Sequence, residues 1–289
     1  MEKADKKIKL KPILKWMGGK RQLLPEITKR LPIKFGKYFE PFLGGGAVLF
    51  ELAPENAIVN DTNPELINLY QVVKRNPEEL IEVLRTFSND EKTYYEVRDW
   101  DLNKEAYGAI DPIRKAARTV FLNRTCFNGV FRVNSSGHFN VPYANLKNPN
   151  IVMEKEIRAL SQYFNKANIE FLCGDFEKAV SKAKPGDFVY FDPPYDPIPG
   201  QSDFNGYSEK KFGDSSLSRL VRVCTELTDK GVHVMVSDSA TEKVRKFFSD
   251  DRFQIHTVYA RRSINSVATD RGAIEEFIIT NYEEDTYGE

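Results

Sequence analysis

Tyr38-Phe-Glu-Pro-Phe-Leu-Gly-Gly-Gly-Ala47 is the stretch that decides the fold. A short apolar run ends on three glycines, and apolar residues resume at Val48–Leu52. That order is strand, tight turn, helix, the opening of an α/β unit. Further runs of buried-strand character stand at Ala57–Asn60, Ile169–Leu172, Asp187–Phe191, Val232–Val236, Gln254–Tyr259 and Glu276–Thr280. With Tyr38–Phe42 they suffice for one seven-stranded sheet. Asn63-Pro64, Asn76-Pro77 and Asp111-Pro112 each set a capping side chain before a proline whose fixed φ suits a first helical turn. From Pro64 to about Asn168 no strand is expected before Val130. The spacing therefore predicts a helical insertion, 64–165, dividing an α/β domain made of 1–63 and 166–289.

Composition narrows the class. With 289 residues, 41% hydrophobic, 12% aromatic and 29% charged, the chain can bury a core, which excludes a disordered tail, a collagen-like fibre or a disulfide miniprotein. Lys+Arg 42 balances Asp+Glu 42, so any polyanion must be met by local patches. Cys126, Cys173 and Cys224 lie far apart, and the expectation is free thiols with no metal site. No apolar leader precedes Lys11 and no run of about 18 apolar residues occurs, so a cytoplasmic protein with no membrane span is expected.

Three segments carry chemistry. The glycine turn, Gly44, Gly45 and Gly46, lets a ligand approach the backbone beside Phe42. Leu49 stands where a dinucleotide fingerprint needs a third glycine, which disfavours nicotinamide cofactors. Asp61 ends the next strand, where doubly wound sheets bind ribose hydroxyls; Asn63 already serves as the helix cap, which favours the ribose role. In Val189-Tyr-Phe-Asp-Pro-Pro-Tyr195 an apolar strand stops on an acid and two prolines. Asp192 and the Pro193 carbonyl are then left facing the ligand crevice, able to accept the two hydrogens of an exocyclic amine while Tyr195 stacks on its ring. A plain surface turn is the alternative. The reading fails if Asp192 is locked into a buried ion pair with no open cleft joining it to the glycine turn. Third, in Leu14-Lys-Trp-Met-Gly-Gly-Lys20, Lys20 is placed to meet a carboxylate or phosphate and Trp16 to cover an adenosine or sulfonium, with core packing the alternative for Trp16. Arg21 stands where a phosphate-binding loop needs Ser or Thr.

Asn134-Ser-Ser-Gly137 between two short extended runs reads as a β-hairpin over 130–143. Arg114, Lys115, Arg118, Arg124, Arg132 and Lys147 interleave there with Phe121, Phe127, Phe131, Phe139 and Tyr143. Such a mixture can hold phosphates and wedge between bases, or be a solvated helix followed by a packed hairpin.

Taken together, Lys15-Trp-Met-Gly-Gly-Lys20, Phe39-Glu-Pro-Phe-Leu-Gly-Gly-Gly46, Asn60-Asp61, Gly174-Asp-Phe176 and Asp192-Pro-Pro-Tyr195 resemble the Dam-type DNA adenine N6-methyltransferases, over roughly Lys15 to Tyr282. The resemblance implies a Rossmann-like seven-stranded sheet binding S-adenosyl-L-methionine, with a helical target-recognition domain ending in a DNA-probing hairpin. It implies that Trp16 and Lys20 hold the methionine end of the cofactor, Lys20 near its carboxylate, that Asp61 takes the ribose, and that Asp175 and Phe176 flank its adenine. Asp192, Pro193 and Tyr195 would receive an adenine flipped from double-stranded DNA, within GATC. Lys15, Phe127, Asn128, Val130, Arg132, Pro142 and Lys147 match DNA-contacting positions, with Asn134 and Arg118 beside them and Arg132 the reader of a guanine edge. Phosphate affinity is expected from Arg114, Arg118, Arg124, Lys147, Arg261, Arg262 and Arg271. A cognate restriction endonuclease, without direct contact, and a monomer or weak dimer complete the picture. Gly206 in Phe204–Tyr207, Asp238 and Leu146 depart from the usual pattern. Methylation of cytosine N4 or RNA, or a non-catalytic DNA-binding module, are the alternatives.

Overall fold

The computed structural model describes residues 10–16, 18–195, 213–261 and 273–283. Seven strands form one mixed sheet: β1 (Tyr38–Glu40), β2 (Asn56–Asp61), β3 (Asn168–Cys173), β4 (Phe188–Phe191), β5 (His233–Ser239), β6 (Gln254–Arg261) and β7 (Ala273–Thr280), in the order β3-β2-β1-β4-β5-β7-β6. β1 pairs in parallel with β2 and β4, β4 with β5 likewise, and β7 lies antiparallel between β5 and β6. The seven expected runs are thus the seven strands, with ends shifted by a few residues. Because the strand order reverses at β1 and β4, the crevice beyond their carboxyl ends is where such a sheet holds ligands.

The chain divides into two compact units. One gathers residues 20–43, 56–62 and 172–289, the other residues 1–19, 44–55 and 63–171, so a boundary falls inside β3. The first unit contains most of the sheet with α1 (Leu24–Lys29), α9 (Phe176–Val180), α10 (Asp214–Asp229) and α11 (Glu242–Phe247). Its core runs from Phe39 and Ile58 through Val189, Phe191, Leu220, Cys224 and Val236 to Phe277 and Ile279. The second unit contains α2 (Ala47–Leu52), α3 (Pro64–Arg75), α4 (Pro77–Arg85), α5 (Glu91–Arg98), α6 (Lys104–Ala109), α7 (Pro112–Thr125) and α8 (Glu154–Lys166). Leu66, Leu69, Tyr70 and Val73 of α3 are all buried, as their helical spacing requires.

Two of the three expected caps form. Asn63 accepts from the Glu65 and Leu66 N–H groups, and Asp111 from those of Ile113 and Arg114. Asn76 does not cap α4 with its side chain, since its backbone also closes α3 by donating to Val72 O. No described helix is long and apolar enough to cross a membrane. The three cysteines are free, and no described cluster suits a metal.

Asn60, 1% exposed, ties the crest of the sheet together. Its Nδ2 donates to Pro41 O and Gly174 O, both at 2.9 Å, while its own carbonyl accepts from Leu43 N at 2.8 Å. Asn60→Ala leaves two carbonyls without their donor and is expected to lower unfolding free energy by about 1–3 kcal/mol in urea titrations. Asn60→Asp should be worse, because a carboxylate then faces two carbonyls; wild-type stability in both variants would refute this account.

Candidate active site

β4 is buried along its whole length, and the two prolines after it end the ladder, so Asp192 sits at the carboxyl end of a strand at the reversal point. Here one expectation is corrected. Asp192 Oδ1 lies 2.8 Å from Lys20 Nζ, with the side chains 20% and 7% exposed. The carboxylate is therefore ion-paired, and Lys20, expected on a cofactor carboxylate, faces Asp192 instead. A cation this dry requires an anion within reach, and the same unit supplies one. Oδ1 is the sequestered oxygen, so the accessible fifth of the side chain lies elsewhere on it. Burial pushes the Asp192 carboxyl up to about 6 despite the pull of Lys20 in the other direction.

Tyr195 completes the cluster. Lys20 Nζ stands 4.3 Å from its ring centroid, and its hydroxyl donates to Glu276 Oε2 at 2.6 Å. Burial raises its phenol well above the ordinary value, keeping it neutral. Glu276 was not picked out from the sequence; its signal is weak, one of two adjacent glutamates on a strand, of which alternation turns one inward. Glu40, 2% exposed at the end of β1, was likewise missed as a polar anchor and accepts from Tyr38 OH at 3.0 Å. Tyr190 OH and Ser237 Oγ pair at 2.5 Å below the site, and Asp238 is buried beside them.

The remaining expected cofactor residues of this unit have structural partners. Phe42, Phe176 and Phe191 pack as one aromatic group with centroids 5.3 to 6.4 Å apart. Asp175 caps α9 through Glu177 N, and both its oxygens lie 3.0 Å from Arg219 Nη2. Asp61 is half-buried at the end of β2, and its carbonyl accepts from Gly174 N.

In the helical unit, the glycine turn has a more local reason than ligand access. Gly44 and Gly46 have φ of +49° and +69°. A Cβ on Gly44 or Gly45 would lie 2.9 Å from Trp16 atoms, and one on Gly46 2.8 Å from Phe50. Trp16 thus lies on the turn, and it also stacks on Phe131 at 5.5 Å. The hairpin at 130–143 is minimal, an isolated antiparallel bridge between Val133 and Phe139 rather than two strands, with a second bridge between Cys126 and Tyr143. Asn134 Oδ1 accepts from Ser136 N and His138 N, so this residue shapes the turn. Lys15, Phe127, Asn128, Arg132, Pro142 and Lys147 are exposed, and Val130 is half-buried. Arg132 is steered by Asn140, whose Oδ1 accepts from its Nε at 2.8 Å.

Arg118 is corrected. It is 3% exposed and donates to Val97 O and Arg98 O while pairing with Asp101 at 2.7 Å. Asp101 in turn accepts from Phe139 N at 2.9 Å. A guanidinium enclosed by carbonyls and a carboxylate cannot reach phosphate; it braces the hairpin from within. The Arg261 side chain, Arg262, Arg271 and Phe204–Tyr207 lie outside the described residues.

Residues 16–264 match the D12 class N6 adenine-specific DNA methyltransferases. The chain is 45% identical over 281 residues to the type II methyltransferase M1.LlaDCHI of Lactococcus lactis subsp. cremoris, covering 96% of this chain and 97% of that protein. It is 39% identical to the type II methyltransferase M.MjaIII of Methanocaldococcus jannaschii, covering 95% and 100%. To the DNA adenine methylase of Escherichia coli K12 it is 32% identical, covering 93% and 95%.

Two outcomes follow from this geometry. Arg118→Met strands Asp101 and is expected to cost about 3–5 kcal/mol of stability in thermal melts, while the slope of DNA affinity against salt stays at the wild-type value. A slope lower by about one with unchanged stability would restore Arg118 to the phosphate contacts. For Asp192, the folded carboxyl holds its proton more tightly than the ordinary 3.8, so its contribution to stability is present below about pH 4 and lost as pH rises through about 6. Carbon-13 NMR of the aspartates should show one titrating near 6 and moving upward in Lys20→Gln; a titration below 4.5 would contradict this environment.

Proposed function

The chain belongs to the D12 class N6 adenine-specific DNA methyltransferase family, and from that premise we propose that it moves a methyl group from S-adenosyl-L-methionine to N6 of an adenine flipped out of double-stranded DNA, within GATC. The observation that carries this reading is Asp192: a carboxylate at the end of a buried strand, at the reversal of strand order, raised to about 6 and braced by Lys20, which also stands over the Tyr195 ring.

The donor set suits such a cofactor. Phe42, Asp61, Asp175 and Phe176 are the residues of the sheet-bearing unit that would hold it. When bound, the cofactor supplies an electrophilic methyl on a sulfonium centre. An adenine amine is a poor nucleophile because its lone pair is delocalised into the ring. The Asp192 carboxylate and the Pro193 carbonyl accept its two hydrogens, favour the tetrahedral amine and oppose the positive charge that develops on N6. At neutral pH Asp192 is ionised, so a carboxylate oxygen can take the N6 proton, and a pKa near 6 makes it a better acceptor than an ordinary aspartate. Tyr195, fixed by Glu276, offers its ring to the flipped base.

Target recognition in this reading belongs to the exposed residues of the helical unit. Lys15, Phe127, Asn128, Arg132 and Pro142 face outward on neighbouring stretches and join basic, amide and apolar groups, the mixture that reads base edges and fills a vacated stack. Lys147 adds an exposed cation suited to phosphate. A restriction endonuclease of the same specificity is the functional partner this reading implies.

Purified protein incubated with methyl-labelled cofactor and unmethylated duplex DNA is expected to yield N6-methyladenine by nucleoside mass spectrometry, mapped to GATC by methylation-sensitive sequencing. Asp192→Ala should still bind DNA and cofactor yet lose at least about 10²-fold in turnover. Label in N4-methylcytosine or in RNA, or full turnover by the variant, would overturn the assignment.

A further inference from the structure

Asn123 stands in the last turn of α7 and is 1% exposed. Its Oδ1 accepts from Lys15 N at 2.8 Å, and its Nδ2 donates to Lys15 O at 2.8 Å and to Gly129 O at 2.9 Å. The amide thus pairs with both peptide groups of Lys15 as a neighbouring strand would, and uses its remaining hydrogen on the loop that follows α7. A flipped amide would set its NH2 against an N–H and its oxygen against two carbonyls, so this orientation is fixed by its partners. Gly129 is at φ +65°, and a Cβ there would fall 2.5 Å from Lys15 Cδ and 2.8 Å from Lys15 Cβ. The aliphatic stem of Lys15 therefore rests on the glycine while the residue as a whole stays exposed. The Trp16 and Phe131 rings, each next in sequence to this contact or close to it, stack at 5.5 Å and 28°.

The two segments joined in this way are 108 residues apart in sequence, and each carries exposed groups assigned above to the DNA target. We propose that Asn123 is a positioning residue for target selection: it clasps Lys15 to the 127–132 loop, so that Lys15, Phe127, Asn128 and Arg132 present themselves to DNA as one preset surface. This rests on the DNA-adenine reading of the protein. Asn123 itself touches no base, being buried behind the groups it aligns. Its effect is on discrimination, because groups free to shift by an ångström can still meet a wrong base pair, whereas groups held in register leave unpaired polar atoms against it.

The test measures kcat/KM on a duplex carrying the cognate site and on duplexes with one base pair of the site replaced, for wild type, Asn123→Ala, Lys15→Ala and the double variant, with a thermal melt of each. Asn123→Ala is expected to melt lower yet, at a temperature where it is folded, to lose roughly tenfold of its discrimination, with kcat on saturating cognate DNA within threefold of wild type. The double variant should lose less discrimination than the two single losses combined, since part of what Lys15 contributes depends on the clasp. A purely structural role would reduce the melting temperature and leave discrimination within twofold of wild type, and that result, or additive losses in the double variant, would overturn the proposal. Should Asn123→Ala prove insoluble, Asn123→Asp decides the matter: it keeps an acceptor for Lys15 N but loses the donors to Lys15 O and Gly129 O, and unchanged discrimination in that variant would equally count against the clasp. Absence of N6-methyladenine with the wild type would refute the functional reading itself, an outcome separate from any difference among the variants.

Discussion

The ion pair between Lys20 and Asp192 is the constraint on which the chemistry of the sheet's edge depends. Two opposing forces meet there. Burial at the end of β4 favours the neutral acid, and the ammonium 2.8 Å away favours the carboxylate. Burial unopposed would carry the carboxyl further upward, toward a protonated group unable to receive hydrogens from an amine. Lys20 unopposed would hold it below the range of an ordinary surface aspartate, a weak acceptor at neutral pH. The balance near 6 gives a group that is ionised at neutral pH and still basic enough to be useful. Lys20 also stands over the Tyr195 ring, whose hydroxyl is held by Glu276, so acid, cation and aromatic constrain one another.

The framework of this arrangement was legible from residues alone because it follows from burial and backbone chemistry. Parallel strands covered on both faces read as apolar runs, and each of the seven runs is a strand. Pro193 and Pro194 announce the end of β4 because they lack the N–H a ladder needs. Asn63 and Asp111 declare their helices through the geometry of Asx capping before proline. Asn76 shows the limit of that signal. Two helices abut there, and a residue that ends one cannot take the extended backbone from which a side chain caps the next.

Direction and partner were less legible than element type. Arg118 and Arg114 share one helix and one charge, yet Arg114 is exposed over the Trp100 ring whereas Arg118 is buried against Asp101. Composition sees two cations; only the helical phase relative to the buried face separates them. For Lys20 the chemistry was read correctly, a cation awaiting an anion, but an anion 172 positions away in the same chain is invisible until the strands are assembled. Glu276 was missed for a similar reason: which of two adjacent glutamates faces Tyr195 is set by the antiparallel register of β7 against β5.

The glycine turn shows how one pattern can have two sufficient causes. Three glycines after a strand suit close approach by a ligand, and the sequence supports that reading well. In the folded chain the space beside Gly44 and Gly45 is taken by Trp16, so a side chain at either position would first collide with an indole. Trp16 in turn stacks on Phe131, and the residue before it is clasped by Asn123. Within the helical unit, then, the turn, the Trp16 segment and the loop after α7 form one packed block, in which an added methyl at the turn cannot be absorbed without moving aromatic neighbours. The glycines are demanded by the protein's own packing, so their presence alone is not evidence of a ligand. The weight of the functional assignment therefore rests on Asp192 and its surroundings, a carboxylate paired with Lys20 at the carboxyl end of β4, where the strand order reverses.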